Sequence, residues 1–460
     1  MLASRIPLFC LAGLLLLALG CRSPSAARAR ADREAYAIIS SKQLTGLGEE
    51  RAFNIDTAYS HRRPDEIAPA EIIAARQEGK DYLVDMQTAL KLALDHSREY
   101  QTRKEDLYLQ ALSLTESRHA YAPLVDLETK AERARDSDGE DVGSADTQLS
   151  VSKLLKTGGN LSLTLANDLL RYYSGDARRS AVSSISLNLV QPLLRNAGKE
   201  IAAENLKQAE RDVIYAVRAF SRYQREFAVD IVTGYWRLVE RRDELGNEYE
   251  NYRQLVRTRK RAEALSHDRL PEFEVDQTRQ NELRAKERYL ERIQSYLTAL
   301  DDFKQTLGLP LTTRLTMETA ALKSMAGRGL AAIALDLDRA VDLALERRLD
   351  LLTEIDRFDD SKRKITVAAN QLHAEIEFVG DLNLSSSEET SWARFNVRDW
   401  TGSAGLRLKL PIDRLQERND LRRRIIDFER RLRSLGLAVD TVRKELQRAF
   451  IRLQERQQQY

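Results

Sequence analysis

The stretch Ser180-Ala-Val-Ser-Ser-Ile-Ser-Leu-Asn-Leu-Val-Gln-Pro-Leu-Leu-Arg-Asn-Ala-Gly-Lys199 decides how this chain is read. Ile185, Leu187 and Leu189 alternate with Ser184, Ser186 and Asn188, the period-two pattern of a strand with one apolar face. Pro192 has no amide hydrogen to give to a ladder, so the strand is expected to stop there. Gly198 permits an unusual backbone angle just beyond it. From Val213 the apolar positions Val213, Val217, Phe220, Phe227, Ile231 and Leu238 keep a strict heptad, with Gln224 and Gly234 at the missing steps. A seven-residue apolar repeat is the signature of coiled-coil packing. The reading is strand, sharp turn, long helix.

The arrangement recurs. Ala404-Gly-Leu-Arg-Leu-Lys-Leu-Pro-Ile-Asp413 repeats the alternation with Pro411 in the place of Pro192, and a charged helical stretch again follows. Upstream, Ala89-Leu-Lys-Leu-Ala-Leu94 matches Ala340-Val-Asp-Leu-Ala-Leu345. Downstream, Tyr235-Trp-Arg-Leu-Val-Glu-Arg241 resembles Phe450-Ile-Arg-Leu-Gln-Glu-Arg456. Three matches in one order point to an internal duplication of helix, strands, proline turn and long helix.

That order, together with Gln191-Pro192-Leu193 at the turn, resembles the TolC-like outer membrane efflux proteins from about Asp85 to the C-terminus. The resemblance implies a mainly α fold with β. Long coiled-coil helical hairpins are joined to short strands that contribute to a shared trimeric outer-membrane β-barrel, in two structural repeats.

Bulk properties agree with solvated helices. Of the 460 residues, 31% are charged and only 7% aromatic, too few rings for a thick globular core. A net charge of +2 leaves no nucleic-acid footprint. Cys10 and Cys21 both lie at the extreme N-terminus, so the body has no thiol for a disulfide or metal site. The five histidines do not cluster, and neither metal nor cofactor is expected.

In chain order, Arg5 precedes an apolar run, Ile6 to Gly20, which has the length of a secretory signal core rather than a membrane span. Ala18-Leu-Gly-Cys21 resembles a bacterial lipobox, with Ala18 where leucine is usual. It implies lipid attachment at Cys21, and Arg22 favours outer-membrane sorting. Residues 21–84 read as an N-terminal tether with short helical pieces. The first repeat spans 85–311, a connector 312–336, and the second repeat 337–460.

Within the first repeat a helix is expected from Asp85 to about Ala120. Strands follow at Leu124–Glu132, around Leu149 and Val151, and at Leu161–Leu165. Gly158 and Gly159 mark either a bulge or a tight hairpin. Ala89 and Pro192 stand farther apart than Ala340 and Pro411, so the first repeat has room for an extra hairpin. A helix from about Lys199 to Ala264 would be on the order of 90 Å long. After the break at Ser266-His-Asp-Arg-Leu-Pro271, a second helix returns to Leu307. The second repeat offers a helix from Leu337 to about Leu372 and strands near Glu375–Leu384 and Thr401–Leu410. Far fewer residues follow Pro411 than separate Pro192 from Leu307. The returning helix of the second repeat is missing, so either the chain is an incomplete version of a longer gene product, the favoured expectation, or its second half closes in an unfamiliar way.

Strands with one apolar and one polar face, in an exported chain, fit a barrel with lipid outside and water inside. The residues facing the lumen would be Asp126, Glu128, Glu132, Glu375, Glu377 and Asp381, outnumbering Lys130, Arg407 and Lys409 and giving a weak cation preference. Strand-to-helix turns are assigned to Gln191, Pro192, Gly198 and Pro411. The resemblance implies a homotrimer that acts as a passive exit duct of a tripartite efflux or type I secretion system. An inner-membrane pump would supply energy. A periplasmic adaptor would contact the helical tip, here Ser266, His267, Asp268, Arg269, Leu270 and Pro271.

Other readings are a periplasmic coiled-coil adaptor lipoprotein or an incomplete, non-conducting channel homologue. An adaptor needs small barrel domains flanking one hairpin, whereas this chain shows strand pairs in both halves. No nucleophile elbow, phosphate loop or metal-spaced cluster supports an enzyme, and His96, His119 and His373 read as helix-surface or interfacial residues.

Overall fold

The computed structural model describes residues 23–135, 137, 139, 141–172, 179–265, 271–318, 336–386 and 395–459. Its contacts divide the chain into two compact units. One comprises Met1–Phe53, Tyr108–Arg218 and Asp336–Ile451, and the other comprises Asn54–Leu107, Ala219–Leu335 and Arg452–Tyr460. The signal core 1–20, Cys21 and most of the connector lie outside the described residues.

The chain opens with α1 (Pro24–Leu47), capped by the Ser23 side chain, which accepts from the Ala26 amide. It is longer than the short helical pieces expected, because Ala35, Ile38, Ile39 and Gln43 form a narrow buried stripe. After α2 (Pro69–Gln77) come β1 (Asp81–Val84), α3 (Met86–His96) and α4 (Arg98–His119). The single helix expected over 85–120 is therefore two. Asp85 starts α3 by accepting from the Thr88 amide at 2.7 Å. Ser97 adopts extended angles and ends it, then accepts from the Tyr100 amide at 3.4 Å to start α4. The second half does the same. The helix expected over 337–372 is α8 (Leu337–Arg347) and α9 (Leu349–Asn370), interrupted at Arg348 in an extended conformation. In each half a helix of 11 residues meets one of 22 across a single residue.

Between these helices lie β2 (Leu124–Arg135), β3 (Asp141–Leu154), β4 (Asn160–Tyr172) and β5 (Arg179–Pro192), then β7 (Glu375–Ser386) and β8 (Phe395–Lys409). They form one antiparallel sheet in the order β2-β3-β4-β5-β7-β8, open at both edges. Gly158 and Gly159 make the tight hairpin, not the bulge: Leu155 N–H donates to the Gly159 carbonyl at 2.7 Å. Gly158 has φ 94°, and a Cβ there would stand 2.4 Å from the Asn196 carbonyl, so only glycine fits. The first half thus contributes four strands and the second two.

β5 ends at Pro192 and leads through α5 (Lys199–Ala202) into α6 (Glu204–Leu265), a helix of 62 residues. Every apolar heptad position, from Val213 to Leu238, is buried. The two exceptions in the heptad have partners: Gln224 donates to the Tyr100 hydroxyl, and a Cβ on Gly234 would meet the Phe303 ring at 3.2 Å. α7 (Glu272–Thr306) runs back along α6, as shown by Arg292–Glu244 at 3.2 Å, Arg288–Glu248 at 3.6 Å and stacked Tyr252 and Tyr289 rings. β6 (Arg314–Met317) then pairs in parallel with β1. The last helix, α10 (Leu415–Gln459), has Val442 as its one buried residue among those described.

In the sheet-bearing unit, α6 and α9 meet through a polar network. Asp360, 4% exposed, lies 2.7 Å from Arg211 and 2.9 Å from Arg363 and accepts from the Tyr215 hydroxyl at 2.6 Å. Arg363 also pairs with Glu204, and Arg211 and Arg218 both pair with Asp356. Burial and then the Asp360 contact push the Tyr215 hydroxyl well above the ordinary tyrosine range, so it stays a neutral donor.

Candidate functional site

The six-stranded sheet is the candidate functional surface, and its register sorts the side chains. Directly opposed residues share a face. Following the pairing from β2 to β8, Asp126, Glu128, Lys130 and Glu132 share a face with Asp146, Asp168, Asn188, Asp381, Glu377 and Glu375. All six carboxylates expected to face a lumen therefore lie on one polar face. The periodicity also admitted Asp146 and Asp168, which the sequence reading passed over. Both continue the alternation of β3 and β4. Lys130 pairs with Glu132 at 2.6 Å, Arg407 with Glu377 at 3.2 Å and Lys409 with Glu375 at 3.7 Å. These three bases leave Asp126, Glu128, Asp146, Asp168 and Asp381 uncompensated by an ion pair among the described residues.

The opposite face is apolar along every strand: Val125 and Leu127, Leu149 and Val151, Leu163 and Leu165, Ile185 and Leu187, Leu382 and Leu384, Leu406 and Leu408. Among the described residues nothing covers it. Val125 is 68% exposed, Leu406 70% and Trp400 61%. An antiparallel sheet in water buries its apolar face, and an uncovered one marks contact with lipid or protein. Among the described residues no helix is long and apolar enough to cross a membrane, and no cluster of His, Cys, Asp and Glu is arranged to hold a metal.

At the foot of the sheet the chain turns into helices through a tied knot of polar contacts. Gln191 accepts from the Thr157 hydroxyl at 3.0 Å and donates to the Thr157 and Pro192 carbonyls. Gly198, at φ 91°, donates its amide to Thr157 as well and caps α5. Arg195 donates to Gln371 at 2.8 Å, and Asn370 accepts from the Asn196 amide at 2.7 Å. On the second turn Arg414 donates to the Pro411 carbonyl at 3.1 Å and to the Leu372 carbonyl. Both proline turns are thus fastened to the Asn370–Leu372 corner by an arginine three residues after the proline. Gln191, Pro192, Gly198 and Pro411 all lie in these two turns. Arg195 and Arg414 were missed, although Pro-x-x-Arg stands in both halves.

Of the tip assigned to 266–271, Pro271 precedes α7 as its N-terminal flanking residue, and Ser266, His267, Asp268, Arg269 and Leu270 lie outside the described residues. Cys21 lies outside them too. His96, His119 and His373 are all exposed.

No family model and no curated protein matches the sequence. Solved structures match the fold. The outer-membrane channel OprN superposes with a TM-score of 0.57 at 15% identity, covering 81% of this chain and 75% of that one. CusC, described by its transmembrane channel formation, gives 0.55 at 14% identity over 83% and 80%. The outer membrane protein VceC of Vibrio cholerae gives 0.52 at 11% identity over 77% and 75%. With helical hairpins, a two-faced antiparallel sheet and these neighbours, the chain has the TolC-like fold of outer-membrane channels.

Proposed function

We propose that the chain is one protomer of a trimeric outer-membrane channel, the passive exit duct of a tripartite efflux or type I secretion system. The observation that carries this reading is the sheet: apolar and uncovered on one face, charged on the other, and open at both edges. Six strands fall short of the eight that a bacterial outer-membrane barrel needs, so copies must combine. The apolar face then meets lipid and the polar face lines water. The antiparallel helices α6 and α7 supply a periplasmic wall. Leu432, Leu437 and Ile451 of α10 are exposed, as expected of a helix that a neighbouring copy covers.

The remaining assignments belong to the same reading. Residues 1–20 are a signal peptide and Cys21 carries lipid, 21–84 form an N-terminal segment, and 85–311 and 337–460 are duplicated halves joined by 312–336. The matched helix lengths in the two halves support the duplication. The turn at 266–271 contacts a periplasmic adaptor, and an inner-membrane pump supplies the energy. No catalytic role is assigned to any residue.

Reconstitution into planar lipid bilayers tests the conduit. Discrete conductance steps are expected, with a reversal potential in a salt gradient that shows weak cation preference, because carboxylates outnumber bases on the polar face. Absence of steps would contradict the channel. An anion preference would contradict the assignment of the polar face to the lumen.

A further inference from the structure

We infer that copies join by pairing β2 of one with β8 of the next, Asp126 opposite Lys409 and Glu128 opposite Arg407, so that three copies close a barrel of eighteen strands. The inference rests on the trimeric channel proposed above and adds its seam and its size.

Four observations lead there. First, β2 and β8 are the two unpaired edges of the six-stranded sheet. An open edge leaves backbone N–H and C=O groups unsatisfied, which hydrocarbon does not tolerate. Second, direction alternates at every step of the sheet, so its first and sixth strands run opposite ways. A β8 edge meeting the β2 edge of another copy therefore continues the antiparallel order without a break.

Third, the faces limit the register. Even-numbered residues of β2 and odd-numbered residues of β8 are on the polar side, so only registers that oppose even to odd keep lipid and water faces continuous. Leu127 then meets Leu408 on the apolar side. Fourth, the charges match. Arg407 and Lys409 take their own chain's Glu377 and Glu375 on one flank, and their side chains stay 61% and 71% exposed. On the far edge Asp126 and Glu128 are exposed and have no ion-pair partner among the described residues. The seam places these acids on the open flank of those bases, building a row of alternating charge.

The extra hairpin in the first half sets the size. Barrel diameter grows roughly linearly with strand number, and barrels of 16–18 strands leave an aqueous channel. Three sheets of six strands reach that class.

The test is a cysteine pair in the full chain: Glu128→Cys with Arg407→Cys, oxidised in outer membranes, with Gly405→Cys and Lys409→Cys as alternative partners to bracket the register. A denatured ladder ending at trimer supports the seam. Leu127→Cys with Arg407→Cys, on opposite faces, is expected to give none. A trimer that survives in unheated detergent but yields no ladder with any of the three partners overturns the seam while leaving the trimeric channel standing. Absence of any trimer from the unmodified chain overturns both. Electron microscopy of the unmodified channel, which needs no variant to fold, reads the count directly. Eighteen strands support the inference and twelve overturn it.

Discussion

Asp360 and Glu210 show how single carboxylates hold the helices beneath the sheet. Asp360 is nearly sealed from solvent and is contacted by two guanidinium groups and a hydroxyl. Removing it by Asp360→Ala leaves Arg211 and Arg363 with one carboxylate partner fewer in a buried place. Breaking such a pair costs about 3 kcal/mol, expected as a lower melting temperature of the helical circular-dichroism signal. An unchanged melt would mean the network is not coupled to folding.

Glu210 is more exposed and bridges Lys42 of α1, at 3.3 Å, to Arg118 of α4, at 3.1 Å. Desolvation raises its pKa, but the Arg118 hydrogen bond and the Lys42 charge outweigh that, and the net shift is downward. A depressed folded-state pKa stabilises the fold above the unfolded value and loses that contribution as pH falls through the folded one. Glu210→Gln is therefore expected to cost about 0.5 kcal/mol near pH 7, solvent screening having been allowed for, and to become indistinguishable from the parent once the pH has fallen through the depressed folded-state pKa of Glu210. A cost independent of pH would point to lost packing instead.

At the scale of elements, much was legible because the patterns were local. Alternation in Ile185, Leu187 and Leu189 with the stop at Pro192 placed β5, and the heptad from Val213 to Leu238 placed the buried stripe of α6. The breaks at Ser97 and Arg348 were not legible. Neither position has a proline or glycine, and the apolar period continues across both. The β1–β6 pair escaped for another reason: each strand has four residues, and the two are far apart in sequence. Arg195 and Arg414 could have been found by comparing the two halves one turn further past the prolines.

The two-faced strands give a sharp prediction. Leu165 is 40% exposed on the apolar face, where arginine in water would cost little. In a lipid-facing strand Leu165→Arg is expected to cost about 2–4 kcal/mol, whereas Thr164→Arg on the polar face is tolerated. The check is the temperature at which the trimer dissociates in each variant. Equal effects would contradict a lipid-facing side.

At the scale of the molecule, the proposed channel needs strands from several copies to share one barrel. Expressing the chain in a Gram-negative host, separating inner from outer membranes, and comparing unheated with heated samples on a denaturing gel tests that most directly. The expected result is a trimer-sized band in the outer membrane that heating converts to monomer. Monomer alone, or material confined to the soluble or inner-membrane fraction, would contradict the shared barrel.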